Sequence, residues 1–476
     1  MNTKILLITL MAWGLCIHAL SQATDTLKYT MQQCIDYAMT NNTSVQNATL
    51  DEEIAKAKVR EVKGLGLPQI TGNFGAQHNF KLRSLFLPGD SFFGPLDANG
   101  QPILSKDDIL VSPNIFQLPS ALDASLNASQ LLFNASYLVG LKAAKTYKEL
   151  AQKASQQTKE QTSVNVSKAY FLTVIAQERL KLFTLNITRL DSTLRQTRAL
   201  QKQGFVEKID LDRLEVSFNN LLTEYDKTRN LLLLSDLSLK YQMGMPLTQP
   251  LLATDKIDSY TADTTFLNTE KDFNINDRTE YQLLQTQKIA SELDLKNNRS
   301  AALPTVVLSG SLGAFSQNND LNFFQNKRYG INNSIQNKTP IGYWADYSFI
   351  QLGLSVPIFG GLQRVSKVQQ SKLNVKKSEN NLKNFESAAA MQLKSASVNA
   401  RNSLKSLDMQ KRNMELAKQI SEVSLKKYKQ GIGSNLELIN SESSLKEAQI
   451  NYYNALYEYL VYKTEFLQAM GKINSK

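Results

Sequence analysis

The chain has 476 residues, 42% of them apolar, with 11 prolines and a formal charge of +11, which leaves room for two or three domains built on long helices. Its two histidines and two cysteines give poor support for a His/Cys catalytic pair or a soft metal site, and no Gly-rich phosphate loop sits between a strand and a helix. No acidic pair is marked out for carboxylate catalysis, so the sequence reads as a non-enzyme without a cofactor. Lys and Arg are scattered among acids at helical spacing, the pattern of a solvated helical surface, and no nucleic-acid partner is expected.

Residues 1–23 read as a signal peptide. Lys4 supplies the positive start, Ile5 to Ile17 the apolar stretch, and small residues between Ala19 and Ala23 the cleavage site. Leu15, just before Cys16, does not fit a lipid-attachment box, so a mature start near Gln22 to Thr24, outside the cytoplasm, is expected. Cleavage removes Lys4, for a charge of about +10 (11 − 1), and leaves one cysteine, Cys34, and one histidine, His78. No later run has the length and apolarity of a spanning helix, so any membrane passage must be made by strands.

A first helix is predicted over about Thr30 to Lys63. Strand alternation follows over about 69–80, where Ile70, Gly72, Phe74, Ala76, His78 and Phe80 alternate with polar or small residues. It returns over about 122–133, with Leu122, Ala124, Leu126 and Ala128 set against Asp123, Ser125, Asn127 and Ser129. A Pro-free helix from about Asn134 to Gln203 would be roughly 100 Å long at about 1.5 Å per residue. A shorter one runs from about Lys208 to Met243. Helix is predicted again over Arg278 to Ala301, strands over about 305–315 and 348–357, a second long rod over Gly360 to Gln430, and a last helix over Asn435 to Met470. Val307 and Phe315 blur the polar side of the third strand. Coiled-coil spacing appears at Leu180, Phe183, Ile187, Leu190 and Leu194, and at Met409, Asn413, Leu416, Ile420 and Val423.

The two halves repeat. Leu67-Pro68 and Leu303-Pro304 each open a strand, displaced by 236 residues (304 − 68), and Gln203-Gly204 and Gln430-Gly431 each interrupt a long helix, displaced by 227 (431 − 204). The expected organisation is therefore a first repeat over 24–250, a linker over 251–276 and a second repeat over 277–476. The fold class expected is mainly α with a transmembrane β-barrel, duplicated as helix–strand–strand–helix. Each strand has the length of about ten residues that crosses a bilayer when tilted, and four strands cannot close a pore of at least about eight. Three copies would supply twelve. The competing class is a periplasmic or surface coiled-coil scaffold without a pore, which needs no alternating strands.

Four motifs in order resemble the TolC family of outer-membrane efflux proteins. They are Tyr29-Thr30-Met31-Gln32-Gln33-Cys34-Ile35-Asp36-Tyr37-Ala38 with Asn41-Asn42, the Leu-Pro strand starts, Val356-Pro357-Ile358-Phe359-Gly360-Gly361, and Tyr428-Lys429-Gln430-Gly431-Ile432-Gly433-Ser434-Asn435-Leu436-Glu437. The resemblance implies a homotrimer in outer-membrane lipid with a periplasmic helical barrel. It further implies a passive exit duct for efflux or type I secretion, docked by a periplasmic adaptor and fed by an inner-membrane pump of RND or ABC type. It places a gate at the periplasmic tip, onto which Asp210, Arg213, Glu437 and Asn440 map, and adaptor docking at the helix tips shaped by Gly204, Gly431 and Gly433. Asn440 stands where a second acid is usual in the family.

Overall fold

The computed structural model describes residues 27–112, 114, 117–255, 265–319, 321, 323, 328–331, 338–341 and 344–473. The expected signal peptide, part of the linker and parts of the two strand-connecting loops lie outside the described residues. The chain forms two compact units, one from residues up to Lys56, Thr146–Ser291 and Asn374–Lys476, the other from Ala57–Lys145 and Glu292–Leu373. Each unit takes segments from both repeats.

The second unit holds a four-stranded antiparallel sheet. Its strands are β2 (Gln69–His78), β5 (Ser120–Asn134), β7 (Thr305–Asn318) and β10 (Ala345–Ser355), in the order β10-β7-β5-β2. Two short hairpins extend the connections, β3 (Leu85–Pro88) with β4 (Ile109–Ser112), and β8 (Arg328–Ile331) with β9 (Lys338–Ile341). Direct partners in an antiparallel ladder share a face. The rows Ile70–Ala128–Gly310–Ile350 and Phe74–Ala124–Ala314 therefore lie on one side. On that side Ile350 is 83% exposed, Ile70 72% and Phe74 71%. The other side carries Asn73, Ser125, Asn127, Ser311 and Gln351, together with the apolar exceptions Leu131, Val307, Phe315 and Phe349. Tyr347 crosses Gly313 there and donates from its hydroxyl to Asp123 at 3.1 Å. His78 closes the apolar side, with Nδ1 2.8 Å from the Ser120 hydroxyl and its ring edge-on to Phe80.

The first unit is helical. A parallel pair, β1 (Leu27–Tyr29) with β6 (Leu251–Ala253), begins it. Next come α1 (Met31–Asn41) and α2 (Thr43–Gly64), which replace the single helix predicted over Thr30 to Lys63. The break is built by Asn42, whose backbone is extended (φ −66°, ψ 126°) and whose side-chain oxygen accepts from the Ser44 amide at 2.8 Å while its amide donates to the Gln242 carbonyl at 2.7 Å. Asn42 thus ends one helix, starts the next and ties both to a third. The remaining helices of the chain are α3 (Ala135–Lys202), α4 (Lys208–Met243), α5 (Thr279–Ser300), α6 (Gln363–Lys429) and α7 (Asn435–Ala469), of which α3, α5 and α6, like α2, have residues in both units. The rod predicted from Gly360 begins only at Gln363, because Gly361 and Leu362 both take left-handed φ (58° and 64°).

One core of this unit joins Cys34, Ala38, Tyr170, Leu239, Leu456, Tyr459 and Phe466. Burial, with the Asp255 charge adding to it, pushes the Cys34 thiol up to about 12, so it stays protonated and inert. The heptad in α3 is buried as the sequence implies, through Phe183, Leu190 and Leu194. The one in α6 is not: Met409 is 65% exposed, Ile420 58% and Leu416 56%. Within one chain α6 buries small residues instead, among them Ala400, Ser421 and Ser424.

Candidate functional site at the helix-hairpin tips

Two helical hairpins of the first unit, α3–α4 and α6–α7, end in tips related by the 227-residue repeat. At the first, Gly204 takes φ +82°, its amide donates to the Gln201 carbonyl at 3.0 Å, and the Phe205 amide reaches back to Leu200 at 3.0 Å. At the second, Gly431 takes φ +74°, with Gly431 to Tyr428 and Ile432 to Lys427 both at 3.1 Å. Both are Schellman caps, in which a left-handed residue lets the orphan carbonyls of the last turn find donors. Gly433 has a different reason to be glycine: a Cβ there would stand 2.8 Å from the Lys427 Cβ. Each tip presents matching exposed apolar side chains, Phe205 and Ile209 at the first, Ile432 and Leu436 at the second.

The next helices start differently. Ser434 caps α7 by accepting from the Glu437 amide at 3.1 Å, whereas Glu207 before α4 makes no side-chain cap bond. Each first turn holds a carboxylate, Asp210 or Glu437, where the helix dipole favours it. Both carboxylates also have a cation. Asp210 pairs with Arg213 at 3.5 Å, and Glu437 with Lys427 at 3.2 Å while accepting from the Ser424 hydroxyl at 3.5 Å. Asn435, almost fully buried, ties the tips together by donating to the Asp210 carbonyl at 2.6 Å. Asn440 lines a groove between α6 and α7 with Glu437, Leu416, Ile420 and Ser444.

The sequence named Asp210, its partner Arg213 and Glu437, and missed Lys427, the partner of Glu437. Lys427 lies five residues before Ile432 and Glu437 five after, so the hairpin folds one onto the other; that symmetry about the turn is the signal that could have found the pair. Further along, the hairpins are locked by polar groups. Arg189 of α3 meets Glu442 of α7 at 2.7 Å, the Ser421 hydroxyl of α6 donates to the same carboxylate at 2.8 Å, and Asn186 donates to Gln449 at 2.8 Å. Among the described residues no cluster of His, Cys, Asp or Glu is placed to hold a metal, and no helix is long and apolar enough to cross a membrane. The site is a paired-charge rim on two helix tips, suited to meeting ions or a partner protein.

Residues 287–472 match the family model described as outer membrane efflux protein. Outer membrane protein TolC of Salmonella enteritidis is 23% identical over 469 residues, covering 96% of this chain and 84% of that protein. TolC of Escherichia coli strain K12 is 22% identical over 471 residues with the same coverage. Over the C-terminal stretch 287–472 the chain is similar to the outer membrane efflux proteins. The fold is similar to that of solved outer-membrane channels. The Campylobacter jejuni CmeC outer membrane channel superposes with a TM-score of 0.67 at 17% identity, over 93% of this chain and 85% of that one. The structure of CusC gives 0.69 at 16% identity, over 95% of both chains. The sheet's exposed apolar side is the kind of surface that a lipid-facing strand presents.

Proposed function

We propose that three copies of this chain close a twelve-stranded barrel in the outer membrane and continue it into a periplasmic helical tunnel. The assembly is a passive exit duct: a periplasmic adaptor docks on it, and an inner-membrane pump of RND or ABC type delivers substrate for efflux or type I secretion. The observation that carries this reading is the sheet, whose edge strands β2 and β10 each have one side unpaired among the described residues and whose apolar face is exposed. Open edges call for more strands, and bilayer passage without a spanning helix calls for closure. The outward heptad of α6 supports the same reading, since Met409, Leu416 and Ile420 have apolar surface for a neighbouring helix.

At the tips, Asp210, Arg213, Glu437 and Asn440 form the gate, and the turns set by Gly204, Gly431 and Gly433 offer the adaptor its docking surface through Phe205, Ile209, Ile432 and Leu436. Each carboxylate being paired with a cation, the rim is balanced rather than strongly cation-attracting. Single-channel recording of the reconstituted protein tests this. Glu437→Ala leaves Lys427 unpaired and lowers cation preference; Arg213→Ala leaves Asp210 unpaired and raises it. Unchanged conductance and selectivity in both variants would remove the gate from these residues.

A further inference from the structure

The two halves contribute two strands each, and the ladders relate them by fixed offsets. Gln69 opens β2 and Thr305 opens β7, 236 residues on (305 − 69), and their partners are Ser129 in β5 and Ser355 in β10, so β5 maps onto β10 at 226 (355 − 129). Both offsets are even, so each strand keeps its facing under the repeat. The halves meet where β5 pairs with β7: Leu126 faces Leu312, Leu131 faces Val307, and past an irregularity at Leu132 Phe133 faces Val306. The counterparts of these two strands, β10 and β2, are the two free edges.

We infer that β10 of one copy pairs with β2 of a second copy in the register of the β5–β7 junction. This rests on the oligomeric reading above and deepens it by naming the residues that meet. Carrying Leu126 forward (126 + 226) and Leu312 back (312 − 236) sets Leu352 beside Ala76 of the second copy. In the same register Ile350 meets His78, Leu354 meets Phe74, and Gln351 meets Gln77. Apolar residues stay on the apolar side and the glutamines on the polar side, which no odd shift would achieve.

The end of β10 bears the same mark. β5 runs on to Asn134, whose counterpart is residue 360 (134 + 226), yet β10 stops at Ser355. The four residues between have no strand partner among the described residues, Ile358 92% exposed and Phe359 82%. Pro357 stands at the counterpart of Leu131, where β5 becomes irregular; a bulge is one of the few places in a strand that accepts proline. Ile358 then takes the bulge position, and Phe359 comes to rest against Ile70 of the second copy, itself 72% exposed. The second copy completes β10.

Cysteine pairs test the register. Gln77→Cys with Gln351→Cys and Ala76→Cys with Leu352→Cys are aligned; Gln77→Cys with Phe349→Cys or with Gly353→Cys is shifted by two. Within one chain these edges are three strand spacings apart, about 14 Å, so any disulfide joins two copies. A disulfide needs Cα atoms about 4.4–6.8 Å apart, and diagonal neighbours lie at about 7–8 Å. Membranes oxidised with copper phenanthroline should give boiling-resistant, reductant-sensitive multimers from the aligned pairs, while the shifted pairs stay monomeric on the same gel. Preferential linkage of a shifted pair, or no linkage in an oligomer that light scattering in detergent finds intact, overturns the register and leaves the oligomer standing. A monomer by light scattering overturns the oligomeric reading itself.

Discussion

Glycine is required for different reasons at the tips and at the end of α4, and the difference is measurable. Gly204 has φ +82° and nothing within 4 Å of an added Cβ, so Gly204→Ala meets only the left-handed penalty of about 1–2 kcal/mol. Gly244 also has positive φ (71°), but its Cβ would lie 2.4 Å from the Asn41 carbonyl oxygen, where the Asn41-Asn42 corner packs against the helix end. Gly244→Ala adds overpacking to the same penalty, about 3 kcal/mol or more in total. Thermal unfolding followed by circular dichroism in detergent should rank Gly244→Ala well below Gly204→Ala; equal melting temperatures would contradict the close approach. The tip glycines were legible because each interrupts a long helix at a repeated position. The roles of Gly244 and Asn42 were not, although Asn41-Asn42 stood out as a motif, since what constrains them is a contact 200 residues away in the chain (242 − 42), and no local pattern encodes it.

At the scale of elements, the strands were readable because a period of two survives in the ladder: residues that alternate in sequence come out on opposite faces, row by row. The helices were readable for their lengths and less so for their partners. The α6 heptad has the spacing of a buried seam, but spacing does not say whether the complementary surface lies on the same chain, and here it faces outward. Adjacent residues of β5 give a direct test of the two faces. Leu126 is 57% exposed on the apolar side, while Asn127 points to the polar side opposite Thr71 and Ser311. Leu126→Arg should cost about 2–4 kcal/mol in the bilayer, as arginine does near the midplane of a lipid-facing strand, and Asn127→Arg little. Urea-induced unfolding in liposomes reads both. Similar losses for the two, or a larger one for Asn127→Arg, would mean that the faces are assigned the wrong way round.

The whole molecule combines features that are unstable singly. A four-stranded sheet with one side apolar and exposed cannot rest in water without aggregating, and it cannot rest in lipid with open edges, because each unsatisfied backbone group there costs several kcal/mol. No described helix can anchor the chain instead. Closure with other copies satisfies both demands at once, so membrane residence and oligomerisation should stand or fall together. In fractionated cells the protein should be found with the outer membrane, resist extraction by salt and dissolve in detergent. Unheated in SDS it should migrate as a multimer, since breaking the closed sheet requires all the ladders to open cooperatively; boiling should convert it to the single chain. A pore-free scaffold makes the opposite forecast, a protein released with the soluble periplasmic fraction and migrating as one chain whether heated or not. The decisive sample is the unheated detergent extract: a multimer there, converted by heat alone, ties the strand pattern to a closed barrel, and a soluble monomer would leave the exposed apolar face without a lipid to meet.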